Sequence, residues 1–209
     1  WFWTRPVTVS APGGTQATAT LPDGSTAELN GGTRIAYRRG FAALPFVPAE
    51  QRRVRLDGEA FFSVAPGARP FRVVTPSARI TALGTQFTVE TLRAGGDTTT
   101  QVTVREGRVR VVAVEDSAGA VTLAERGAQS RVAGPAARPT SPTTVSLDYV
   151  EAWRRGGFAV RQASLPATLR RLERRFGTSV RLAADSARTR PMTLLYDAEA
   201  RLETVLTDI

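Results

Sequence analysis

The sequence predicts a β-rich domain, a β-sandwich or a β-solenoid-like roll of short antiparallel strands, followed by a small α/β module of order β-α-β-β-α. Three observations carry this reading. Between about residues 18 and 133, β-branched and polar residues alternate in short runs separated by Gly, Pro, Asp and Asn. Residues 134–142, GPAARPTSP, then set three prolines among small and polar neighbours, the composition of a semi-extended linker. Beyond them, apolar residues recur at helical spacing between strand-like runs. The expected division is an N-terminal segment 1–14, an all-β domain 15–133, a linker 134–148 and a module 149–209 that stops on a helix, one closing strand short.

In ATATLPDGSTAEL two strands flank Pro22-Asp23-Gly24. Proline sets φ for the first corner, Asp23 forms the turn and Gly24 takes the position that needs φ > 0. Asn30-Gly31-Gly32 marks another turn before TRIAY. In RITALGTQFTVE, Ile80 and Ala82 lie on one parity, Phe87 and Val89 on the other. A β-bulge at Leu83-Gly84 would return all four to one face. QVTVREGRVRVV reads as a hairpin about Glu106-Gly107, with Val104 facing Val109 and Val102 facing Val111. Another strand pair is expected around Arg126-Gly127. Asp23-Gly24, Asp57-Gly58 and Glu106-Gly107 each open an alternating strand, at intervals too irregular for a solenoid repeat.

In the module, GGFAVR is a strand and Ser164 caps a helix whose Pro166 sits in the first turn. Leu165, Leu169, Leu172 and Phe176 form its apolar stripe, and Gly177 ends it. TSVRLA and RPMTLLYD are further strands. Asp197 is expected to cap a last helix with the stripe Ala198, Leu202, Val205 and Ile209.

Composition narrows the function. The 209 residues contain no cysteine and no histidine, which removes thiol nucleophiles, Cys/His zinc sites and the usual general base near neutral pH. No cofactor is expected, and a metal would need oxygen ligands alone. The net charge is +9, and every basic residue is arginine. That excess is spread along the chain rather than gathered with aromatics into a stripe, so nucleic acid is not an expected partner. No run reaches the roughly 18 apolar residues of a membrane span. Trp1-Phe2-Trp3 suits either a membrane-interface cluster or a first strand packed on the core.

The stretch LDGEAFFSVAPGARPF decides between an enzyme and a scaffold. Glu59 beside Phe61 and Phe62 could be a general acid tuned by an apolar wall, or a residue of a buried strand entered through Gly58. In a strand, Phe62 faces one way while Glu59 and Phe61 face the other, so both faces are covered. A buried carboxylate then needs a partner, for which Arg53, Arg55, Arg69 and Arg72 are near in sequence. A general acid needs a second carboxylate or a base in a pocket, and nothing in the sequence points to one. The structural reading is preferred.

Four segments, LPDGSTAELNGGTRIAY, VRLDGEAFFSVA, RPFRVVTPSARITALGTQFTVE and VTVREGRVRVV, follow one another in an order that resembles the FecR family, bacterial inner-membrane regulators of extracytoplasmic-function sigma factors. EAWRRGGFAVRQASLPATLRRLERRFGTSVRL is similar to the family's C-terminal module, related to the short secretin/TonB N-terminal (STN) domain. The resemblance spans roughly residues 15 to 209. It implies a periplasmic region anchored to the inner membrane through a preceding span, with a cytoplasmic part contacting the sigma factor. It also implies a signal from a TonB-dependent outer-membrane receptor, often one that senses an iron chelate. The module departs from the family pattern in lacking its final strand.

A small module with an open sheet edge can accept a partner's strand. Arg170, Arg171, Arg174 and Arg175 lie opposite the apolar stripe, either as a solvated face or as a basic surface that steers an acidic receptor domain. With the adjoining strand Ser179, Val180, Arg181 and Leu182 they are the candidate partner contact. Trp153 is read as a packing anchor between linker and module. The competing reading is a β-sandwich that binds cell-wall polysaccharide, with the module as an assembly contact.

Overall fold

The computed structural model describes residues 6–39, 41, 52–67, 69–94, 97–180 and 191–209. In chain order its β-domain strands are β1 (Pro6–Ala11), β2 (Ala17–Thr20), β3 (Thr26–Leu29), β4 (Thr33–Arg38), β5 (Arg52–Asp57), β6 (Glu59–Ser63), β7 (Phe71–Val74), β8 (Ala78–Ala82), β9 (Gln86–Ala94), β10 (Asp97–Glu106), β11 (Val109–Ala113), β12 (Val121–Leu123), β13 (Ala128–Ala133) and β14 (Thr143–Thr144). They form two seven-stranded sheets, β1-β4-β5-β7-β8-β11-β12 and β14-β13-β10-β9-β6-β3-β2. Strand alternation turns one side of each sheet inward. Ile35, Val54, Val73 and Ile80 from the first sheet meet Leu29, Phe62, Phe87 and Val102 from the second in one core. Phe62 stacks on Phe87 with ring centroids 5.4 Å apart and lies 5.9 Å from Phe71. Each buried ring contributes about 1.5–3 kcal/mol.

The chain repeatedly crosses between the sheets, and this changes the meaning of the acid-glycine pairs. Asp23-Gly24 does join paired strands, with Thr20 opposite Thr26. Asp23 accepts from the Ser25 amide at 3.0 Å and pairs with Arg52 at 2.7 Å. Glu106-Gly107 is not a hairpin: β10 pairs with β9 and β13, and β11 with β8 and β12. Val104 and Val109 are both fully buried, but from opposite sheets. Arg126-Gly127 likewise joins strands of different sheets. The parity change at Gly84 has the same cause. Ile80 and Phe87 do share the core, yet β8 and β9 lie in different sheets, and Gly84, at φ +58°, turns the chain between them rather than forming a bulge.

All strand pairs of the sandwich are antiparallel except β5–β7. The chain leaves β5 for β6 in the second sheet and returns as β7, so the two first-sheet strands run the same way. The sandwich also exceeds the 15–133 range. β1 pairs with β4 along its whole length, and β14, within the expected linker 134–148, pairs with β13. Trp1-Phe2-Trp3 lies outside the described residues.

The C-terminal unit holds α1 (Leu147–Val150), a 3-10 turn (Ala152–Arg155), β15 (Phe158–Ala163), α2 (Leu165–Phe176), β16 (Met192–Tyr196) and α3 (Leu202–Thr207), with β15 antiparallel to β16. Helix α2 follows Ser164 in extended conformation and stops at Gly177, whose left-handed φ of +67° lets its amide reach the Glu173 carbonyl at 2.8 Å. Leu172 packs with Phe158, Val160 and Val205 in a second core. Helix α3 starts a turn later than the sequence reading has it, because the Asp197 carboxylate accepts from the Glu199 amide at 3.0 Å and holds a local turn instead of a cap. Of the expected strand Ser179–Leu182, Arg181 and Leu182 lie outside the described residues. Val180 donates its amide to the Glu173 carboxylate at 2.9 Å.

Candidate functional site: an ionic cluster between sandwich and module

Gly58 sets the position of Glu59. The β5–β6 corner packs so closely on the β3–β4 corner that a Cβ at Gly58 would lie 2.5 Å from Thr33 Oγ1, and the Glu59 amide donates to that same hydroxyl at 2.9 Å. From this corner β6 runs beside β9, with Glu59 directly opposite Glu90. Both carboxylates point away from the core. Opposed like charges destabilise a sheet, and both residues are buried, so the arrangement needs a counter-charge.

Helix α2 supplies it. Arg171 and Arg174, three apart and so on one helix face, reach over the second sheet. Arg171 holds Glu90 with two bonds, from Nε at 2.8 Å and Nη2 at 2.5 Å, the planar fork suited to a carboxylate. Arg174 Nη1 bridges Glu59 and Glu90 at 3.2 Å each, and Nη2 donates to the Thr91 carbonyl at 3.3 Å. Asn30 Nδ2 donates to Glu59 at 2.8 Å.

Backbone contacts bring helix and sheet together. The Gly14 amide donates to the Arg174 carbonyl at 3.0 Å. A Cβ at Gly31 would lie 2.2 Å from that carbonyl oxygen, and one at Gly13 would lie 3.1 Å from Gly177 Cα. Glycine turns of the sandwich thus admit the C-terminal end of α2 at backbone distance.

A second contact lies on the same face. The Arg154 guanidinium sits 3.6 Å over the Phe61 ring, binds Glu28 at 2.8 and 2.7 Å, and binds Glu151 at 3.0 Å. Glu151 also pairs with Arg105, and the Gln16 side chain donates to the Trp153 carbonyl. Trp153 itself is buried in the 3-10 turn. Phe61 and Glu59 therefore face the module while Phe62 faces the core, which accounts for aromatics on both sides of β6.

Burial, then the Glu90 charge, push the Glu59 carboxyl up to about 7, against the opposing pull of Arg174, Arg171 and Asn30. Burial also acts to raise Glu90, but the Arg171 charge and hydrogen bonds, with those of Arg174, overcome it and hold that carboxyl below its ordinary range. Burial opposes the charge of Arg171, and Glu90 outweighs it, so Arg171 keeps its proton more firmly than usual.

A cleft of about 710 Å³ opens beside the cluster, lined by Glu59, Glu90, Arg171, Trp153 and Phe158 among others. Two carboxylates do converge here, the feature that would mark an acid/base pair. Each is engaged by a guanidinium, so the arrangement serves charge neutralisation. Among the described residues no group of three or more acidic side chains could hold a metal ion.

Several sequence expectations change. Arg53, Arg55, Arg69 and Arg72 do not partner Glu59. The crossing at Gly58 carries β6 to the opposite sheet from β5 and β7, and Arg69 instead donates to the Phe41 carbonyl at 3.1 Å. The four α2 arginines do not act as one surface. Arg171 and Arg174 turn to the sandwich, Arg175 lies 5.1 Å over Phe176 and donates to the Ala198 carbonyl at 3.3 Å, and Arg170 lines the cleft. Glu90, Glu28, Glu151 and Arg154 carried no local signal, and Gly31 was legible only as a turn residue, because their roles depend on partners remote in sequence.

Residues 7–110 match the family model described as FecR protein. Two crystal structures of a candidate anti-sigma factor from Parabacteroides distasonis are similar to the chain. One has a TM-score of 0.83 at 26% identity, covering 98% of this chain and 90% of that one. The other has a TM-score of 0.82 at 27% identity, covering 97% and 89%. The likeness therefore spans sandwich and module together. No curated protein matches the chain.

Proposed function

Because this chain belongs to the FecR family through its β-sandwich, we propose that it is the periplasmic signal-relay region of a membrane-anchored regulator of an extracytoplasmic-function sigma factor. The signal comes from the signalling domain of a TonB-dependent outer-membrane receptor, and the chain acts by protein contact without a bond-breaking step. The likeness to anti-sigma factor structures over both units supports the sigma-factor assignment.

The single observation that carries the relay is the buried quartet Glu59, Glu90, Arg171 and Arg174. A relay needs an element with two discrete arrangements. That the module is held to the sandwich by ion pairs and glycine-lined backbone contacts rather than by a shared apolar core supports its being such an element. Docked, it keeps Arg171 and Arg174 on the sandwich. Arg170, Ser179 and Val180, with Arg181 and Leu182 following in the chain, offer the first contact to the receptor domain. A receptor that competes for the arginines shifts the module toward release.

The test is titration of the receptor's signalling domain into this chain and into the variant E90Q, with sigma-dependent transcription read in cells. Loosening the dock should raise affinity for the receptor domain and shift transcription without receptor ligand. If affinity and transcription both match wild type, the relay reading is wrong.

A further inference from the structure

The outward face of the first sheet, on the side of the sandwich away from the module, carries a concentrated positive charge. Alternation aims Arg34 on β4, Arg53 and Arg55 on β5, Arg72 on β7, Arg79 on β8 and Arg110 on β11 the same way. Arg53 stands directly opposite Arg72 on the parallel pair, and Thr81 separates Arg72 from Arg110. None of the six is in an ion pair among the described residues. Asp57, the acidic residue on the outward positions of these strands, stands opposite Arg34 in the β4–β5 register but pairs with Arg93 at 2.7 Å.

Such a field is costly to fold. Like charges directly opposite destabilise a sheet. Burial, then the Arg53 and Arg79 charges, hold Arg72 below its ordinary value, and its Nε is buried without a partner. A solvated surface of a chain with 28 basic and 19 acidic residues would mix the two signs. Here six arginines share one face with a single acidic residue, Asp57, an excess that calls for an anionic partner.

The patch also says what kind of partner. Its strands span roughly 19 Å, four inter-strand spacings of about 4.8 Å, on a sheet face. Between the arginines lie Ala36, Val74, Thr81 and Val112. No aromatic occupies these outward positions on the five strands, whereas protein interfaces centre on buried aromatic anchors. A charge-only surface suits an array of anions that adjust laterally to it.

We propose that this face lies on an anionic phospholipid bilayer. Its cellular meaning rests on the membrane-anchored reading above: a sandwich resting on the inner membrane would present the module toward the periplasm and an incoming receptor domain. The binding itself is independent of that reading.

The experiment is co-sedimentation of the 209-residue chain with phosphatidylglycerol/phosphatidylethanolamine vesicles and with phosphatidylcholine vesicles. Binding to the anionic vesicles should exceed that to the neutral ones at least tenfold at about 50 mM salt and fall steeply by about 300 mM. The variant R53Q/R72Q/R79Q should lower partition by about two orders of magnitude, roughly fivefold per arginine. A second variant, R34Q/R110Q, changes only exposed positions and should act in the same direction. Circular dichroism confirms folding of both. Equal binding to the two vesicle types, no binding at low salt, or unchanged binding by both variants would overturn the proposal. Absence of vesicle binding with variant-sensitive capture of an acidic receptor domain would also overturn it, and would assign the face to a protein. R171M should leave vesicle binding intact, so failure here and failure of the relay are read separately.

Discussion

Replacing Arg171 with methionine keeps most of the side-chain volume and removes both bonds to Glu90. That carboxylate, 5% exposed, then retains only the 3.2 Å contact to Arg174, which it shares with Glu59. Removing one partner of a buried pair costs about 3–5 kcal/mol. Arg171 is 19% exposed and Arg174 stays, so the lower end, about 3 kcal/mol, is expected. The double variant R171M/E90Q removes the stranded charge together with the Glu59–Glu90 repulsion, and should lose only about 1 kcal/mol, so that the second substitution recovers about 2 kcal/mol. Because α2 sits at the contact, the loss should appear as undocking before global unfolding. Amide hydrogen exchange in α2 at about pH 8 reads it, with the opening equilibrium of R171M raised about a hundredfold and largely restored in the double variant. Recovery of less than about 0.5 kcal/mol in the double variant would refute the view that Arg171 and Glu90 clamp the module.

Glu59 sets a pH dependence of opposite sign to that of Glu90. Its folded value of about 7 lies above the ordinary 4.5, so its contribution is fully present below about pH 4.5 and is lost as pH rises through 7. At about 1.4 kcal/mol per unit this amounts to at most about 3 kcal/mol, and E59Q, a mimic of the neutral form, should remove it and be the more stable protein at about pH 8. Glu90, held below its ordinary range, contributes stability that is lost only as pH falls through its depressed value. Urea unfolding across about pH 5–8 separates the two, and an E59Q profile parallel to wild type would contradict the assignment. G31A places a methyl 2.2 Å from the Arg174 carbonyl and should cost about 2–3 kcal/mol, read as faster proteolysis between the units. G24A, with open space but φ of +82°, should cost only about 1 kcal/mol and leave that cleavage rate unchanged. R154A should lower thermal stability by about 2–3 kcal/mol, and R154K should recover less than half, since lysine lacks the planar fork that binds Glu28 and stacks on Phe61.

Local chemistry was enough to identify much of this molecule. The alternation of β4 and β5, the turn at Asp23-Gly24 and the stop of α2 at Gly177 follow from side-chain preference and backbone sterics within a few residues. So does the burial parity of Ile80 and Phe87 on either side of Gly84. What alternation cannot report is which sheet a strand joins. A glycine at positive φ serves a hairpin and a sheet-to-sheet corner alike, which is why Glu106-Gly107 read as the former and is the latter. The same indifference hid the site. Glu59 and Glu90 are 31 positions apart and become opposed only when β6 pairs with β9, and Arg171 and Arg174 arrive from beyond the linker. Likewise the arginines of the first sheet are dispersed in sequence and form a field only because five strands aim alternate residues the same way. Short-range sterics fixed the elements. The charges depended on long-range packing, because Coulomb energy follows distance in space.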